Sequence, residues 1–307
     1  MTNRIRLSLM AAAAILPPGS AFADTAHPIE VPQPSAETTD AGATGPALWQ
    51  VADEDTTIYL FGTVHALRPG LAWLTDDVSA ALAASDEVVT EVDMSAMEAE
   101  MARQMPKAML AEGGNLRELM TDNNRVQYEA AMTKLGLPVE AFDPFEPWFA
   151  AMTLQMLPLM QQGYDPAEGV EMILLGKAGP EATRGALETM DYQIDVFDGL
   201  PMETQLAYLD QSVEQSDELV PMLDDMVASW MSGDADALGS MMAENLPDRT
   251  LYDRLLTTRN ENWAVWIEDR MDQPGTVFIA VGAGHLGGAD SVQVKLAERG
   301  IATTLVD

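Results

Sequence analysis

The chain carries three histidines, and two of them, His65 and His285, sit in the same four-residue frame. The frames are Gly62-Thr63-Val64-His65 and Gly282-Ala283-Gly284-His285. Each closes an apolar run, Ile58-Tyr59-Leu60-Phe61 in the first case and Val277-Phe278-Ile279-Ala280-Val281 in the second. At a usual glycine frequency of about 7 %, two histidines would both follow Gly-x-x in roughly one case in two hundred. Short runs rich in β-branched and aromatic residues read as strands. Each imidazole therefore falls at a strand end, where a nearby glycine permits close approach. An imidazole so placed can ligate a metal or move a proton near neutral pH.

A carboxylate pair joins them. Glu87 to Val92 is a short β-rich run that reads as another strand and carries Glu91, with Asp93 just past it. Extended alternation puts Glu91 and Asp93 on one face, so one or both can point into the crevice beyond the carboxyl ends of a parallel sheet. Two imidazoles plus a carboxylate form a common three-ligand set for a divalent cation with an open position. Water bound there is nucleophilic near neutral pH, which suits hydrolysis of an amide or ester. The same residues also suit a hydrogen-bonded core histidine and a solvated acid.

The elements that must position these groups follow from the pattern around them. Leu48 to Val51, an Asp53-Glu54-Asp55 turn and Thr57 to Phe61 predict a β-hairpin. Thr75 caps a helix with Asp76 and Asp77 in its first turn and Val78, Ala81 and Leu82 on one face. Helical periodicity dominates from Met94 to Met271, broken at glycine- and proline-rich points, and most of the methionines there read as adaptable core filler. A strand at 276–281, a helix at 291–299 and a strand at 301–306 end the chain. The prediction is an α/β fold, a mixed sheet with strands from both ends of the chain and a large central helical insertion.

Composition bounds the class. Arg4 and Arg6, an apolar run from Leu7 to Leu16 and Ala21-Phe22-Ala23 predict a secretory signal peptide over 1–23. Residues 24–46, with His27 among prolines and small polar residues, read as a disordered linker, and 47–307 as one domain. Export, most simply to a periplasm and without a stable membrane anchor, is expected. Cysteine is absent, so thiolate ligands and disulfides are excluded. The net charge of −33, from 16 basic and 49 acidic side chains, argues against nucleic acid as a partner.

The chain resembles the TraB/GumN family, related to the TIKI metalloproteases, from about residue 47 onward. The two Gly-x-x-His frames carry the resemblance, together with Glu91-Val92-Asp93, Pro147-Trp148 and Gly163-Tyr164-Asp165-Pro166 with Gly169-Val170-Glu171. Leu187-Glu188-Thr189 followed by Gln193, Trp230 with Gly233-Asp234, and Arg259-Asn260 with Trp263 complete it. The resemblance implies an exported peptidase, dependent on a divalent ion such as zinc, manganese or cobalt, with His65, His285 and Glu91 essential and peptides or small molecules as substrates. Arg259 would steady negative charge or sit in a salt bridge, Asp93 would orient a histidine, and Gly62, Gly282, Glu188 and Asn260 would support the site. Glu171 stands where the family pattern suggests aspartate. The alternatives are a non-catalytic haem- or metal-binding protein and an esterase-like hydrolase that needs no metal and uses histidine as base.

Overall fold

The computed structural model describes residues 45–246 and 249–306, so the leader, nearly all of the linker and His27 lie outside the described residues. Six strands form one mixed sheet: β1 (Leu48–Ala52), β2 (Thr56–Thr63), β3 (Glu87–Thr90), β4 (Thr183–Ala186), β5 (Gly275–Gly282) and β6 (Thr304–Leu305). Their order is β4-β3-β5-β2-β1-β6. β1 and β2 make the expected antiparallel hairpin, closed by the Asp53 carboxylate accepting from the Thr56 amide at 2.8 Å. β2, β5, β3 and β4 run parallel, and Gly62 lies beside Val281 in the register. Both Gly-x-x-His frames thus leave the sheet side by side.

The helices cover both faces. α1 (Asp76–Ala84) links β2 to β3, with the Thr75 hydroxyl accepting from the Val78 amide and Val78, Ala81 and Leu82 buried, as the sequence predicts. Between β3 and β4 come α2 (Met97–Gln104), α3 (Leu116–Leu119), α4 (Asp122–Lys134), α5 (Pro147–Gln161) and α6 (Val170–Lys177). After β4 follow α7 (Met190–Asp198), α8 (Met202–Glu214), α9 (Leu219–Met231), α10 (Ala235–Asn245) and α11 (Arg249–Tyr252). A π-turn, Asp253–Thr257, then runs into α12 (Thr258–Met271), and α13 (Val292–Glu298) lies between β5 and β6. No helix of the described residues is long and apolar enough to cross a membrane.

Strand alternation divides the core. Ile58 and Leu60 pack with Trp263 and Ile267 of α12 and Leu296 of α13. Phe61 and Phe278 pack on the other face with Trp73, Val78 and Trp230. The insertion has its own core around Tyr128, Trp148, Tyr208 and Leu209, where Met101, Met132, Met152 and Met242 fill space as expected.

Two expectations need correction. The insertion is not wholly helical, because Thr183-Arg184-Gly185-Ala186 adds β4 parallel to β3 at the sheet edge. The last strand shrinks to Thr304–Leu305, since only Trp49 and Gln50 of β1 lie opposite it.

Gly62 is where the two frames meet. A Cβ there would lie 2.9 Å from Ala283 Cα, so backbone would have to move. Gly62→Ala is expected to cost about 1–3 kcal/mol. Gly176→Ala, in α6 with nothing within 4 Å of the added carbon, should be neutral or stabilising by up to about 1 kcal/mol. Thermal unfolding of both variants checks this; equal effects would show that the frames are not in tight contact.

Candidate active site

Four neighbouring parallel strands deliver one functional side chain each. His65 follows β2, Glu91 follows β3, Glu188 follows β4 and His285 follows β5. α12 lies over them and turns Arg259, Asn260 and Trp263 inward, all buried. The loop after β2 is pinned from α6, whose Val170 amide donates to Val64 O at 3.0 Å. Gly169 packs so closely on the His65 carbonyl that no side chain would fit. Gly282 marks the centre: a Cβ there would lie 3.2 Å from Glu91 Oε1 and 3.6 Å from both His65 Nε2 and the His285 ring.

Arg259 ties the site together. Its Nη2 donates to Glu91 Oε2 at 2.6 Å, and its Nε to the two Glu188 oxygens at 2.9 and 3.1 Å. Its Nη1 donates to Leu255 O and to His285 Nε2, both at 3.1 Å. Four of the five guanidinium N–H groups are thereby engaged among the described residues, leaving one on Nη2. Gln193 of α7 donates to Glu91 at 2.9 Å and Glu188 at 3.2 Å, Trp263 donates to Glu188 at 2.9 Å, and the Gly282 amide donates to Glu91 Oε1 at 2.7 Å. Burial works against the charged Glu91 carboxylate, but Arg259, His285, His65 and the Gly282 amide hold it well below the usual range.

The two histidines occupy opposite states. His285 Nδ1 lies 2.6 Å from Asn260 Oδ1, and the Asn260 amide nitrogen donates to Asp290 O at 2.7 Å, which orients the amide. Nδ1 therefore carries the proton, and Nε2 accepts from Arg259. Burial and the adjacent guanidinium push His285 down to about 3, so it is neutral. His65 Nδ1 instead meets Glu171 Oε1 at 2.5 Å, an oxygen that also accepts from the Thr63 hydroxyl. Burial pulls His65 down, but the charge and hydrogen bond of Glu171 outweigh it and raise His65 to about 9. His65 Nε2 has no hydrogen-bond partner among the described residues.

The donor set can be tested against a divalent ion. Both imidazoles suit one, since each spends Nδ1 on an oxygen acceptor. Glu91 does not as arranged, because both its oxygens are committed, and Arg259 stands on His285 Nε2. His285 Nε2 and Glu91 Oε1 lie 3.9 Å apart, and no group of three His, Asp or Glu side chains that could hold an ion is found among the described residues. The residues in this arrangement do not fit a metal; the guanidinium holds the place of the cation.

The structure brings His65, Glu91, Glu188, Arg259, Asn260 and His285 together around Gly62 and Gly282. Asp93 departs from the expectation: β3 ends at Thr90, so alternation does not reach it, and it caps a 3₁₀ turn by accepting from the Ser95 amide at 2.8 Å. Glu171 and Asn260 orient the histidines instead. Gln193 and Glu171 were visible in the motifs without an assigned role; the Gly282 amide had no sequence signal.

The Glu171 contact predicts a titration. His65 is raised above its unfolded value, so its contribution to stability is full below about 6.5 and is lost as pH rises through about 9. Proton NMR of the imidazole should place the His65 midpoint near 9 in the wild type and below about 7 in Glu171→Gln. An unchanged midpoint would assign the shift elsewhere. Arg259→Met leaves two buried carboxylates uncompensated and should cost about 3–5 kcal/mol in chemical denaturation; a loss under about 1 kcal/mol would mean that the cluster is solvated.

Compared with known proteins, the chain matches the model of the TraB/PrgY/gumN family over residues 47–305. No curated protein and no solved structure matches it. The family match takes in every strand and every residue of the site, from β1 through His65, Glu91 and Arg259 to His285. On that coverage the chain belongs to the TraB/PrgY/gumN family.

Proposed function

We propose that the chain is an exported hydrolase of acyl bonds, with peptides as its substrates and His65 as the group that moves the proton. The observation that carries this reading is the His65–Glu171 pair: Nδ1–H is held by a buried carboxylate, while Nε2 faces Gly282 without a hydrogen-bond partner among the described residues. In neutral form, His65 Nε2 takes a proton from water as the water oxygen bonds to the acyl carbon. It returns that proton to the leaving nitrogen or oxygen as the old bond breaks, and Glu171 stabilises the intervening imidazolium. Arg259 offers its remaining Nη2–H to the oxygen that gains charge. Neutral His285 and the two carboxylates hold the guanidinium in position. Export rests on the leader-like N-terminus.

Cleavage of a peptide library and of aryl esters, followed by mass spectrometry and absorbance, tests the reading. His65→Ala is expected to lower kcat/KM by about 10²-fold or more, and kcat/KM in the wild type should rise with pH through about 9 and level off only above it, as the imidazolium gives up its proton. Cleavage that survives His65→Ala, or that falls over that pH range, would overturn it.

The second reading is a metal-dependent peptidase with a divalent ion on His65, His285 and Glu91. The shared Nδ1 anchoring of both imidazoles favours it. It requires Arg259 to leave His285 Nε2. Elemental analysis and chelation separate the two: activity lost on chelation and restored by zinc, manganese or cobalt selects the metal reading, and full activity in chelator selects the first.

A further inference from the structure

One helical hairpin, α9 with α10, grips both histidine frames from the face of the sheet opposite α12. The two helices join at Gly233, whose φ of 71° would strain a side chain, and Asp234 caps α10 by accepting from the Ala237 amide at 2.9 Å. Near the end of α9, the buried indole N–H of Trp230 donates to Gly62 O at 2.8 Å, three residues before His65. Earlier in α9, Asp224 accepts from the Tyr164 hydroxyl at 2.6 Å and pairs with Arg68, three residues after His65. The same helix thus holds the chain on both sides of that histidine.

α10 meets the second frame backbone to backbone. A Cβ on Gly239 would lie 2.2 Å from Gly288 N and 2.6 Å from Gly287 C, and one on Gly287 would lie 2.2 Å from Ala235 O. The helix therefore rests directly on the chain just past His285, with no room for a side chain at the contact. That chain continues to Asp290, whose carbonyl orients Asn260 and through it His285. On the α9 side, the Trp230 ring packs with Phe61 and Trp73 at centroid distances of 6.3 and 5.8 Å. A phenyl ring could join that cluster, but only the indole N–H reaches the Gly62 carbonyl, at the residue where the two frames touch.

We propose that Trp230 and Gly239 are positioning residues, and that the α9–α10 hairpin sets the spacing of His65 and His285 by holding the Gly62 carbonyl and backing the chain after His285. Each acts through backbone rather than through a ring nitrogen. α12 orients His285 and fixes its protonation with side chains, whereas the hairpin fixes where the two frames stand. A misplacement of about 1 Å can cost on the order of 10²-fold in rate, so the spacing matters to any proton transfer between the frames. The effect on turnover rests on the hydrolase reading; the spacing itself does not.

The test is nitrogen–proton correlation NMR of the imidazoles at fixed pH, on the whole protein, beside peptide cleavage. Trp230→Phe keeps an aromatic ring and loses the N–H. It should shift the His65 ring nitrogens and lower kcat by about tenfold with KM unchanged. Gly239→Ala should shift those of His285; should it fail to fold, Trp230→Phe carries the test alone. Trp73→Phe is the control, because it alters the same aromatic cluster and leaves the Trp230–Gly62 bond intact. It is expected to lower the thermal midpoint about as far as Trp230→Phe while both imidazoles keep their wild-type signals. A lowered midpoint with unmoved His65 signals in Trp230→Phe, or equal shifts in Trp73→Phe, would make Trp230 a packing residue only and overturn the proposal. Shifted His65 signals in Trp230→Phe, in a protein whose wild type cleaves nothing, would leave the positioning role standing and reject the hydrolase reading.

Discussion

Arg259 is a buried cation compensated by two buried carboxylates, and the convergence of strand ends depends on that balance. Taking a guanidinium out of water is expensive unless its partners are close and its remaining donors are used. Here Glu91 comes from β3, Glu188 from the chain just past β4, and the acceptors Leu255 O and His285 Nε2 from the π-turn and the β5 exit. The π-turn contributes directly: Thr258 N–H reaches back to Asp253 O, and Leu255 O takes a bond from the Arg259 side chain. Remove any one of these elements and a buried charge is left exposed to the cost of its own desolvation. The cluster thus couples the far edge of the sheet, through β4, to its centre.

A second tier of contacts keeps the cluster in place. Asp191 and Asp195 of α7 meet Arg103 on α2 and Lys107 just past its end, which clamps the helix that carries Gln193 into the site. On the opposite side, Lys295 and Arg249 approach the Asp290 carboxylate, whose backbone carbonyl orients Asn260 and through it His285. Exposed pairs of this kind contribute little singly. Their effect lies in geometry, because each one fixes an element on which a buried polar side chain depends. Arg68 does the same for the His65 loop, stacked on Tyr164 at 4.4 Å and paired with Asp224.

Where local pattern decides structure, the sequence was readable. The apolar runs before both Gly-x-x-His frames became β2 and β5, the Thr75 cap held, and both histidines reached one site because parallel strands put their exits on one edge. β4 was not readable: Thr183-Arg184-Gly185-Ala186 has no alternation and little apolar content, and is a strand only because β3 offers it a ladder. Asp93 failed for a related reason, since alternation was extended past Thr90, where the strand stops. Gln193 and Trp263 carry no local signal for their roles, as they meet Glu91 and Glu188 across separations of 102 and 75 residues. Glu171 could be recognised by position but not by function, because only the fold shows which histidine nitrogen it reaches.

The two frames share their glycine and their histidine, yet the fold gives their imidazoles different chemistry. His65 has a carboxylate at Nδ1 and no hydrogen-bond partner at Nε2 among the described residues; His285 has an amide at Nδ1 and a cation at Nε2. Burial pulls both down, but the charge and hydrogen bond of Glu171 lift His65 to about 9 while the guanidinium adds to burial and takes His285 to about 3. Two titratable groups whose environments pull their protonation apart within a few ångströms are a recurrent basis for acid–base work. The asymmetry also explains why a doubled motif need not mean a symmetric metal clamp. A cation is already present between Glu91 and His285, supplied by α12, and any ion would have to compete with it for the same lone pairs.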